Sequence, residues 1–375
     1  MTIGILGGGQ LGYMLALAGY PLDFHFRFLD PSPQAPVGRI APRVTADYGD
    51  FEALDKFAHG LALVTYEFEN VPVETVQHLA QKLPVYPSPQ ALEAAQDRLR
   101  EKTLFQKLDI PTTEFALVDS KPALERATSK IGLPAVLKTR RLGYDGKGQW
   151  VLRSPADIEK LAKEFPATPL ILEKFVSFAR ELSILAVRGR SGETAFYPLV
   201  ENHHRGGILR LSLAPAPRLI PALQHEAEDL ARRILGALDY VGVLTVELFE
   251  LNGHLQANEI APRVHNSGHW SIEGAVTSQF ENHLRAVSGL PLGEARVTGH
   301  SAMLNLIGEL PEAAELLAVG DAHLHVYGKA LRPGRKVGHV TVRAESPEEL
   351  SRRVKNLPAF FQREEFCLQY ATSAN

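Results

Sequence analysis

Apolar and polar positions at the start of the chain alternate in a way that predicts a parallel βαβ unit. Residues 3–6 form a short apolar run, residues 11–19 are mostly small and apolar, and residues 24–30 carry phenylalanine at every second position. A period of two is typical of a strand, whereas the middle segment is long enough for a helix. Strand, helix and strand in this order favour a parallel sheet.

The same patterns predict further elements along the whole chain. The expected helices are residues 50–60, 73–82, 88–108, 224–238 and 347–356. The expected strands are residues 61–66, 85–86, 136–139, 149–152, 170–175, 181–188, 241–251, 254–260, 323–327 and 337–343. The helix expected at residues 88–108 is followed by Asp109-Ile110-Pro111, which is a stop signal for a helix. Asn252-Gly253 is the strongest short-range signal for a hairpin.

Length and punctuation together indicate a multidomain protein of the α/β and α+β classes. A chain of 375 residues is long enough for two or three domains. We expect a parallel-sheet domain at 1–95, a second domain at 96–300 with a mobile lid subdomain at about 112–177, and a third domain at 301–375.

Composition limits the cellular compartment and the classes of binding partner that we expect. The net charge of −3 gives no general attraction to nucleic acid. Cys367 is the only cysteine, so an intrachain disulfide and a cysteine metal site are both excluded. The N-terminus has no basic segment typical of a signal peptide, and no apolar run approaches the roughly 20 residues that span a bilayer. We expect a cytoplasmic protein without membrane or nucleic-acid partners.

A glycine turn after the first strand is the first candidate binding site. Gly7, Gly9 and Gly12 match the dinucleotide-binding fingerprint, and Asp30 closes the next strand. Backbone N–H groups at a helix N-terminus bind any phosphate. On this motif alone, a nicotinamide cofactor, another phosphate ligand and a purely structural turn all stay open.

A second glycine segment follows a lysine at the end of a predicted strand. Lys138 alone is typical of a surface residue, and a glycine loop alone is typical of a turn. Together with neighbouring cations, however, such a loop can close over a triphosphate. The residues concerned are Lys138, Arg140, Arg141, Gly143, Gly146, Lys147 and Gly148.

Two glutamates on the predicted hairpin are candidate metal ligands. Glu247 and Glu259 follow uncharged strand segments, and ionised carboxylates are rarely placed there without a partner. Paired carboxylates suit Mg²⁺, although both side chains could simply face solvent. A regular two-residue turn would set Glu247 opposite Asn258, so that Glu259 would point to the other face. A shared metal site therefore predicts a bulge or a break in the ladder.

The residues after Glu259 are rich in hydrogen-bond donors. Arg263, His265 and Asn266 would lie beside the metal and converge on whatever the γ-phosphate of the triphosphate reacts with. We interpret these three residues as candidate catalytic groups.

Five segments of the chain resemble motifs of one family, in that family's order. They are residues 5–12, 66–72, 143–149, 258–270 and 332–339. The chain resembles the ATP-grasp superfamily and, within it, the N5-carboxyaminoimidazole ribonucleotide synthetases, the ATPase subunit of phosphoribosylaminoimidazole carboxylase. The resemblance implies an ATP-grasp fold with an N-terminal Rossmann-like (pre-ATP-grasp) domain and a small C-terminal β-rich domain.

The resemblance also implies a ribonucleotide site and replaces the nicotinamide reading of the first motif. The implied contacts are Gly8, Gly9, Gln10 and Leu11 at the 5′-phosphate, Glu67 at the nucleotide, Tyr144 and Asp145 from the lid, and Lys329, Arg335 and Lys336 as a phosphate clamp. A solvated basic turn is the alternative for the last three.

For ATP, the resemblance implies contacts with the phosphates, the adenine edge and the ribose. The implied residues are Arg98, Lys138, Gly143, Tyr144, Asp145, Gly146, Lys147, Gly148, Gln149, Glu173, Lys174, Phe175, Val176, Glu181, His204, Asn258 and Glu259. Glu247 and Glu259 would bind Mg²⁺, with Mn²⁺ as an alternative.

The implied reaction carboxylates the amine of 5-aminoimidazole ribonucleotide with ATP and bicarbonate, through carboxyphosphate, in a homodimeric enzyme. Formate-dependent glycinamide ribonucleotide transformylase and biotin carboxylase share the fold and the metal carboxylates, so only the nucleotide-side motifs distinguish them. A nicotinamide-dependent dehydrogenase and a nucleotide-binding module without catalysis are the alternatives from other classes.

Overall fold

The computed structural model describes residues 1–143 and 146–363. The predicted contacts of Tyr144 and Asp145 therefore lie outside the described residues, as does Cys367. None of the helices in these two ranges has the length and apolar character needed to cross a bilayer.

The N-terminal region is a four-stranded parallel sheet of order β3-β2-β1-β4. Its elements are β1 (Thr2–Leu6), α1 (Gln10–Gly19), β2 (His25–Leu29), β3 (Arg43–Val44), α2 (Phe51–Ala58), β4 (Leu63–Tyr66) and α3 (Val73–Ala80). Ile3 and Ile5 belong to one buried core and Leu6 to another, because both faces of a parallel sheet are covered. The predicted βαβ unit is confirmed. The strand expected at 85–86 is reduced to one bridge between Val64 and Val85.

The prediction of a single helix at residues 88–108 is wrong. The structure has two helices, α4 (Pro89–Gln96) and α5 (Arg98–Lys107), separated by Asp97 in an extended conformation. The Asp97 carboxylate accepts a hydrogen bond from the Leu99 N–H at 3.0 Å, which makes it the N-cap of α5. It also forms ion pairs with Arg140 and Arg141. Because these bonds require the capping conformation, the helix restarts at residue 98.

A second four-stranded sheet, here called the lid sheet or lid, lies in the segment that we predicted to be a mobile lid. It contains β5 (Phe115–Val118), α6 (Lys121–Ile131), β6 (Ala135–Thr139), β7 (Gln149–Leu152), α7 (Pro155–Lys163) and β8 (Leu170–Lys174). The strand order is β5-β8-β6-β7, and all pairs are antiparallel. The glycine loop that joins β6 to β7 therefore lies at one edge of this sheet.

The largest sheet continues from the middle of the chain into its C-terminal part. The elements are β9 (Arg180–Arg188), β10 (Thr194–Phe196), β11 (Val200–Arg205), β12 (Ile208–Ala214), α8 (Pro221–Ala237), β13 (Gly242–Leu251), β14 (His254–Ala261), α9 (Ser271–Gly274), α10 (Gln279–Ser288), β15 (His300–Ile307), α11 (Ala313–Leu317), β16 (Ala322–Val326), β17 (Lys336–Ala344), α12 (Pro347–Lys355) and α13 (Ala359–Arg363). Its order is β14-β13-β9-β11-β12-β15-β17-β16, with β10 paired to β9. The proposed domain boundary at residue 300 therefore divides the chain but not the sheet.

Helix α1 joins the N-terminal region to this large sheet. It packs on α10, and one hydrophobic core contains residues of both regions. The contact is close at Gly19, where an added Cβ would lie 2.3 Å from the Phe26 ring and 2.8 Å from the Leu284 side chain. Only glycine fits this crossing without displacing its neighbours.

This close packing predicts that Gly19→Ala lowers the free energy of unfolding by about 1–3 kcal/mol, because the new methyl group overpacks the contact. Gly236→Ala on α8 is the matched control, since an added Cβ there meets no atom within 4 Å. The control should raise stability by about 0.5–1 kcal/mol, because alanine favours a helix over glycine. Urea unfolding of both variants measures the difference, and equal effects would contradict the assigned contact.

Candidate active site

Three cavities are linked by shared lining residues, Glu69 and Arg263 between the first and second and Ser32 and Lys329 between the first and third. The glycine-turn cavity, of about 460 Å³, is lined by Gly9, Gln10, Leu11, Asp30, Pro31, Ser32, Tyr48, Glu67, Phe68, Glu69, Arg263 and Lys329. The carboxylate cavity, of about 70 Å³, is lined by Glu69, Asn70, Ala95, Gln96, Arg98, Glu101, Arg140, Leu142, Gly143, Glu247, Glu259, Ile260, Ala261, Arg263 and His265. The basic cavity, of about 620 Å³, is lined by Ser32, Pro33, Gln34, Ala35, Pro36, Gly38, Arg39, Arg43, Gly328, Lys329, Ala330, Arg332 and Arg335.

Carboxylates accept hydrogen bonds from the N–H groups of the glycine turn. The Gly9 and Gly12 N–H groups donate to the two oxygens of Glu67 at 2.5 and 2.7 Å, and Gly8 donates to Asp30 at 2.7 Å. An added Cβ at Gly9 would lie 2.6 Å from the Glu67 carboxylate, so the glycine permits this approach. Burial raises the pKa of Glu67 although the two N–H groups oppose the shift. The expectation that Gly8 and Gly9 wrap a phosphate differs from this arrangement.

The predicted basic clamp is divided between different places. The Lys329 ammonium donates to the Gln10 side chain and lines the glycine-turn cavity and the basic cavity. Arg335 lines only the second of these. Lys336 acts electrostatically on His204 and His269 instead. Of the three predicted cations, the structure therefore brings only Lys329 and Arg335 to a common cavity.

The predicted ATP contacts on the lid include a buried ion pair. Lys138 on β6 donates to Glu173 on the neighbouring strand β8 at 2.8 Å. Burial alone would raise the pKa of Glu173, but the charges of Lys138 and Lys102 lower it to about 2. Glu173 is 3% exposed and is thus an ionised partner of Lys138. The following residues, Lys174, Phe175 and Val176, are at least partly exposed at the end of this strand.

The glycine loop approaches the large sheet from the lid. An added Cβ at Gly146 would lie 3.2 Å from the Gly207 Cα, in the turn between β11 and β12. Gly146 and Gly148 have positive φ values of 75° and 71°, which other residues rarely adopt. Lys147 and Gln149 are exposed. The loop can therefore come close to the strands that carry the predicted nucleotide contacts.

Two predicted nucleotide contacts, Glu181 at the ribose and His204, bind each other. His204 on β11 and Glu181 on β9 form a hydrogen bond of 2.8 Å between Nδ1 and Oε2. Although burial lowers the pKa of His204, its bond to Glu181 and the charge of that carboxylate raise it overall. These side chains form one polar unit across two strands.

The hairpin contains the predicted irregularity. Asn252 and Gly253 form a two-residue turn with φ values of 52° and 80°, and Leu251 pairs with His254. The register shifts between Glu247 and Leu248, so that Glu247 lies opposite Glu259 and Asn258 is the extra residue of a bulge. The predicted alignment of the two carboxylates is confirmed. The turn itself is regular, and the slip lies inside the ladder.

This pair fits a magnesium ion. Glu247 and Glu259 line the same cavity, and carboxylate oxygens are the ligands that Mg²⁺ and Mn²⁺ prefer. Within residues 1–143 and 146–363, no group of three or more His, Cys, Asp or Glu side chains could hold a metal by itself. Mg²⁺ commonly takes one or two carboxylates and completes its shell with phosphate oxygens and water. The buried Asn258 Oδ1 has no hydrogen-bond partner in the described structure.

Arg98 keeps the carboxylate of Glu259 ionised. Glu259 binds Arg98 at 2.6 Å, and His265 Nε2 lies 3.2 Å from Glu247. Burial would raise the pKa of Glu259, but the charge and hydrogen bond of Arg98 lower it to about 2. Glu259 is therefore ionised at neutral pH.

Only two of the three predicted catalytic residues line the carboxylate cavity. Arg263 forms an ion pair with Glu69, and both belong to two cavities at once. His265 also lines the carboxylate cavity. Asn266 instead forms two reciprocal amide hydrogen bonds with Asn305, at 3.0 and 2.8 Å. Among the described residues, Asn266 is thus tied to β15 beside the site.

Sequence reasoning missed four charged residues: Glu69 and Glu101, which line the carboxylate cavity, and Asp97 and Lys102, which bind Arg140 and Asn258. Glu69 follows the carboxyl end of β4, and Asp97, Glu101 and Lys102 lie at or near the start of α5. A signal was available on this helix. Residues 98, 101, 102 and 105 have the spacing of a buried helical stripe, yet three of them are charged.

Family models match nearly the whole chain in three consecutive segments. Residues 1–96 match the ribonucleotide synthetase preATP-grasp domain, residues 103–280 the ATP-grasp domain, and residues 301–353 the phosphoribosylaminoimidazole carboxylase C-terminal domain.

Relatives and solved structures agree with these matches. N5-carboxyaminoimidazole ribonucleotide synthase of Pseudomonas aeruginosa is 56% identical over 96% of this chain and 100% of the relative. The crystal structure of N5-carboxyaminoimidazole ribonucleotide synthetase from Thermus thermophilus is 59% identical, with a TM-score of 0.92 over 96% of this chain and 98% of that one. N5-carboxyaminoimidazole synthase from Aspergillus clavatus, solved with ADP and 5-aminoimidazole ribonucleotide, is 33% identical, with a TM-score of 0.90 over the same shares of the two chains. This chain therefore belongs to the N5-carboxyaminoimidazole ribonucleotide synthase family.

Proposed function

We propose that this chain uses ATP and bicarbonate to carboxylate the exocyclic amine of 5-aminoimidazole ribonucleotide in purine biosynthesis, giving N5-carboxyaminoimidazole ribonucleotide. The observation that carries the proposal is the wall formed by Glu69 and Arg263. It belongs both to the glycine-turn cavity and to the cavity of the two carboxylates. One arginine there can contact an activated carboxyl group and a nucleotide on opposite sides.

The charges of the glycine-turn cavity orient the ribonucleotide. Asp30 and Glu67 would repel a phosphate, but their oxygens suit hydroxyl and amine donors. The 5′-phosphate therefore lies towards Lys329 and Ser32, which this cavity shares with the basic cavity of Arg335. Gln10 and Leu11 line the path between these two ends of the nucleotide.

ATP binds between the lid sheet and the large sheet, with its phosphates directed to the carboxylate cavity. Lys138, Arg98 and the glycine loop supply cations and N–H groups to the triphosphate. Residues 173–176 border the adenine, and the Glu181–His204 unit faces the ribose. Tyr144, Asp145 and Lys336 remain predicted contacts.

The reaction consists of two transfers. A bicarbonate oxygen attacks the γ-phosphorus, the bond from that phosphorus to the β-phosphate oxygen breaks, and ADP leaves. The amine then forms a bond to the carboxyl carbon, phosphate departs with the former bicarbonate oxygen, and the nitrogen loses a proton. Mg²⁺ bound by Glu247 and Glu259 would neutralise phosphate charge. Arg263 and His265 offer donors to the carboxyphosphate oxygens, while the lid excludes water that would hydrolyse it.

A nicotinamide cofactor fits the structure less well. Its pyrophosphate would need the N–H groups that Asp30 and Glu67 occupy. The buried Lys138–Glu173 pair and the aligned carboxylates would then have no role in the chemistry. The expected homodimer, the cytoplasmic location and the domain boundaries at residues 95 and 300 remain predictions.

Isotope transfer tests the proposed chemistry directly. With bicarbonate labelled by ¹⁸O at every oxygen, each turnover should place one ¹⁸O atom in inorganic phosphate, because the attacking oxygen stays on phosphorus. Mass spectrometry of the released phosphate measures this transfer. Phosphate without the label, released together with carboxylated product, would contradict carboxyphosphate as the intermediate.

Lys329→Met should weaken binding of the ribonucleotide by about 1.5–3 kcal/mol, the contribution of a charged hydrogen bond. The KM for 5-aminoimidazole ribonucleotide should rise roughly 10- to 150-fold while the KM for ATP stays near normal. Lys56→Met is the control, because Lys56 is an exposed lysine of the same region. A loss confined to ATP would show that Lys329 serves the other substrate.

Arg263→Lys should lower kcat by about 100- to 1000-fold, because lysine keeps the charge but loses the planar pair of donors. Arg285→Lys is the matched control, since Arg285 pairs with Glu281 on α10 away from the cavities. Steady-state kinetics of both variants measure the effect. A normal kcat for Arg263→Lys would remove Arg263 from the reacting centre.

A further inference from the structure

The face of α5 that contacts the large sheet buries charged side chains. Glu101 is 1% exposed and Lys102 is 0% exposed, although residues of these types are almost never buried without partners. Burial raises the pKa of Glu101 to about 8, and the nearby Glu259 carboxylate adds to that shift. Burying these two side chains costs free energy, which indicates that they have a role at this position.

Lys102 binds the bulge of the hairpin. Its ammonium donates to the carbonyl oxygen of Asn258 at 2.7 Å and to the hydroxyl of Thr112 at 3.2 Å. That hydroxyl in turn donates to the carbonyl oxygen of Ala257 at 2.9 Å. The extra residue of a bulge is left without a partner in the ladder, so Lys102 supplies a partner that the neighbouring strand cannot.

Lys102 thus binds the peptide group that precedes Glu259, and Glu101 binds the peptide group that follows it. Its Oε1 accepts a hydrogen bond from the N–H of Ile260 at 2.6 Å. The peptide before Glu259 is thus fixed by Lys102, and the peptide after Glu259 is fixed by Glu101. Because both flanking peptides are held by adjacent residues of one helix, the direction of the Glu259 side chain is constrained.

The direction of this side chain decides whether the two carboxylates can act together. In a regular ladder Glu247 would face Asn258, and Glu259 would point to the opposite side of the sheet. The bulge at Asn258 reverses this relation. The contacts of α5 therefore stabilise the register in which both carboxylates line one cavity.

We propose that Glu101 and Lys102 are positioning residues that hold Glu259 beside Glu247 and thereby set the affinity of the site for a divalent metal. This inference rests on the proposed function, because it assumes that the two carboxylates bind metal together with a nucleotide. Neither residue needs to touch ATP or the metal. Each acts through a hydrogen bond to the backbone next to Glu259.

The test is the Mg²⁺ dependence of ADP binding, measured by calorimetry without turnover. In the unmodified protein, Mg²⁺ should tighten ADP binding, and a titration gives the concentration for half of the effect. Lys102→Met should raise that concentration by about 10- to 100-fold, the usual effect of removing a group that orients a ligand. Lys107→Met, the same change at an exposed position of α5, should leave it unchanged.

A second pair of variants separates positioning from general destabilisation. Glu101→Leu removes the acceptor for the Ile260 N–H and should raise the Mg²⁺ requirement as Lys102→Met does. Glu101→Gln keeps an acceptor oxygen of nearly the same shape and should restore most of the metal response. If Lys102→Met fails to fold, these two variants still decide the question.

The outcomes distinguish this inference from the proposed function. Unmodified protein whose ADP binding ignores Mg²⁺ would contradict the proposed metal site itself. A normal metal response in the unmodified protein, in Lys102→Met and in Glu101→Leu would overturn only the positioning role. A melting temperature that falls with no change in the Mg²⁺ requirement, or an equal loss in Glu101→Gln and Glu101→Leu, would overturn it as well.

Discussion

The mutual neutralisation of buried charges around Glu259 is the constraint on which the site depends. Against the effect of burial, the charges of Lys138 and Lys102 lower the pKa of Glu173 to about 2, and the charge of Arg98 lowers that of Glu259 to about 2, whereas burial raises the pKa of the neighbouring Glu101 to about 8. A charge shielded from water is costly without a partner, so removing Arg98 or Lys138 would leave a carboxylate uncompensated. The six residues come from α5, the lid strands β6 and β8, and the hairpin strand β14. Their pairing therefore links the lid sheet, helix α5 and the hairpin strand β14 to each other.

The same network explains how two substrates can meet. On one side it keeps Glu259 ionised and aligned with Glu247. On the other side the carboxylate cavity ends at Glu69 and Arg263, beyond which lies the cavity of the glycine turn. Phosphoryl transfer to bicarbonate and attack by the amine can thus occur on two sides of one ion pair. The protein contributes mainly positioning and charge neutralisation, as other phosphoryl-transfer enzymes do.

Local patterns in the sequence predicted the parallel N-terminal sheet and the alignment of the hairpin carboxylates, while the ATP-grasp fold was predicted from the family resemblance. The period of two in residues 24–30 predicted β2, and the polarity of the hairpin, together with the need for a shared metal, predicted the slip that brings Glu247 and Glu259 together. These predictions succeed because successive side chains of a strand point to opposite faces, so the sequence of a strand indicates which face each residue is on.

What the sequence did not predict concerns residues whose partners are distant in the chain. Asp97 ends one helix and begins another because it binds Arg140 and Arg141, which lie more than 40 residues away. The hydrogen bonds of Asp30 and Glu67 to the glycine turn, and the pairing of Asn266 with Asn305, were likewise not predicted. Hydrogen-bond partners of this kind depend on tertiary contacts, which hydrophobic periodicity does not encode.

The release of ADP tests the central claim most directly. Purified protein would be incubated with ATP and Mg²⁺, with 5-aminoimidazole ribonucleotide and bicarbonate present together or omitted one at a time. The account predicts rapid ADP formation only when both are present, with one carboxylated nucleotide formed for each ADP. ADP release at the same rate without the ribonucleotide, or no ADP release with every substrate present, would contradict it.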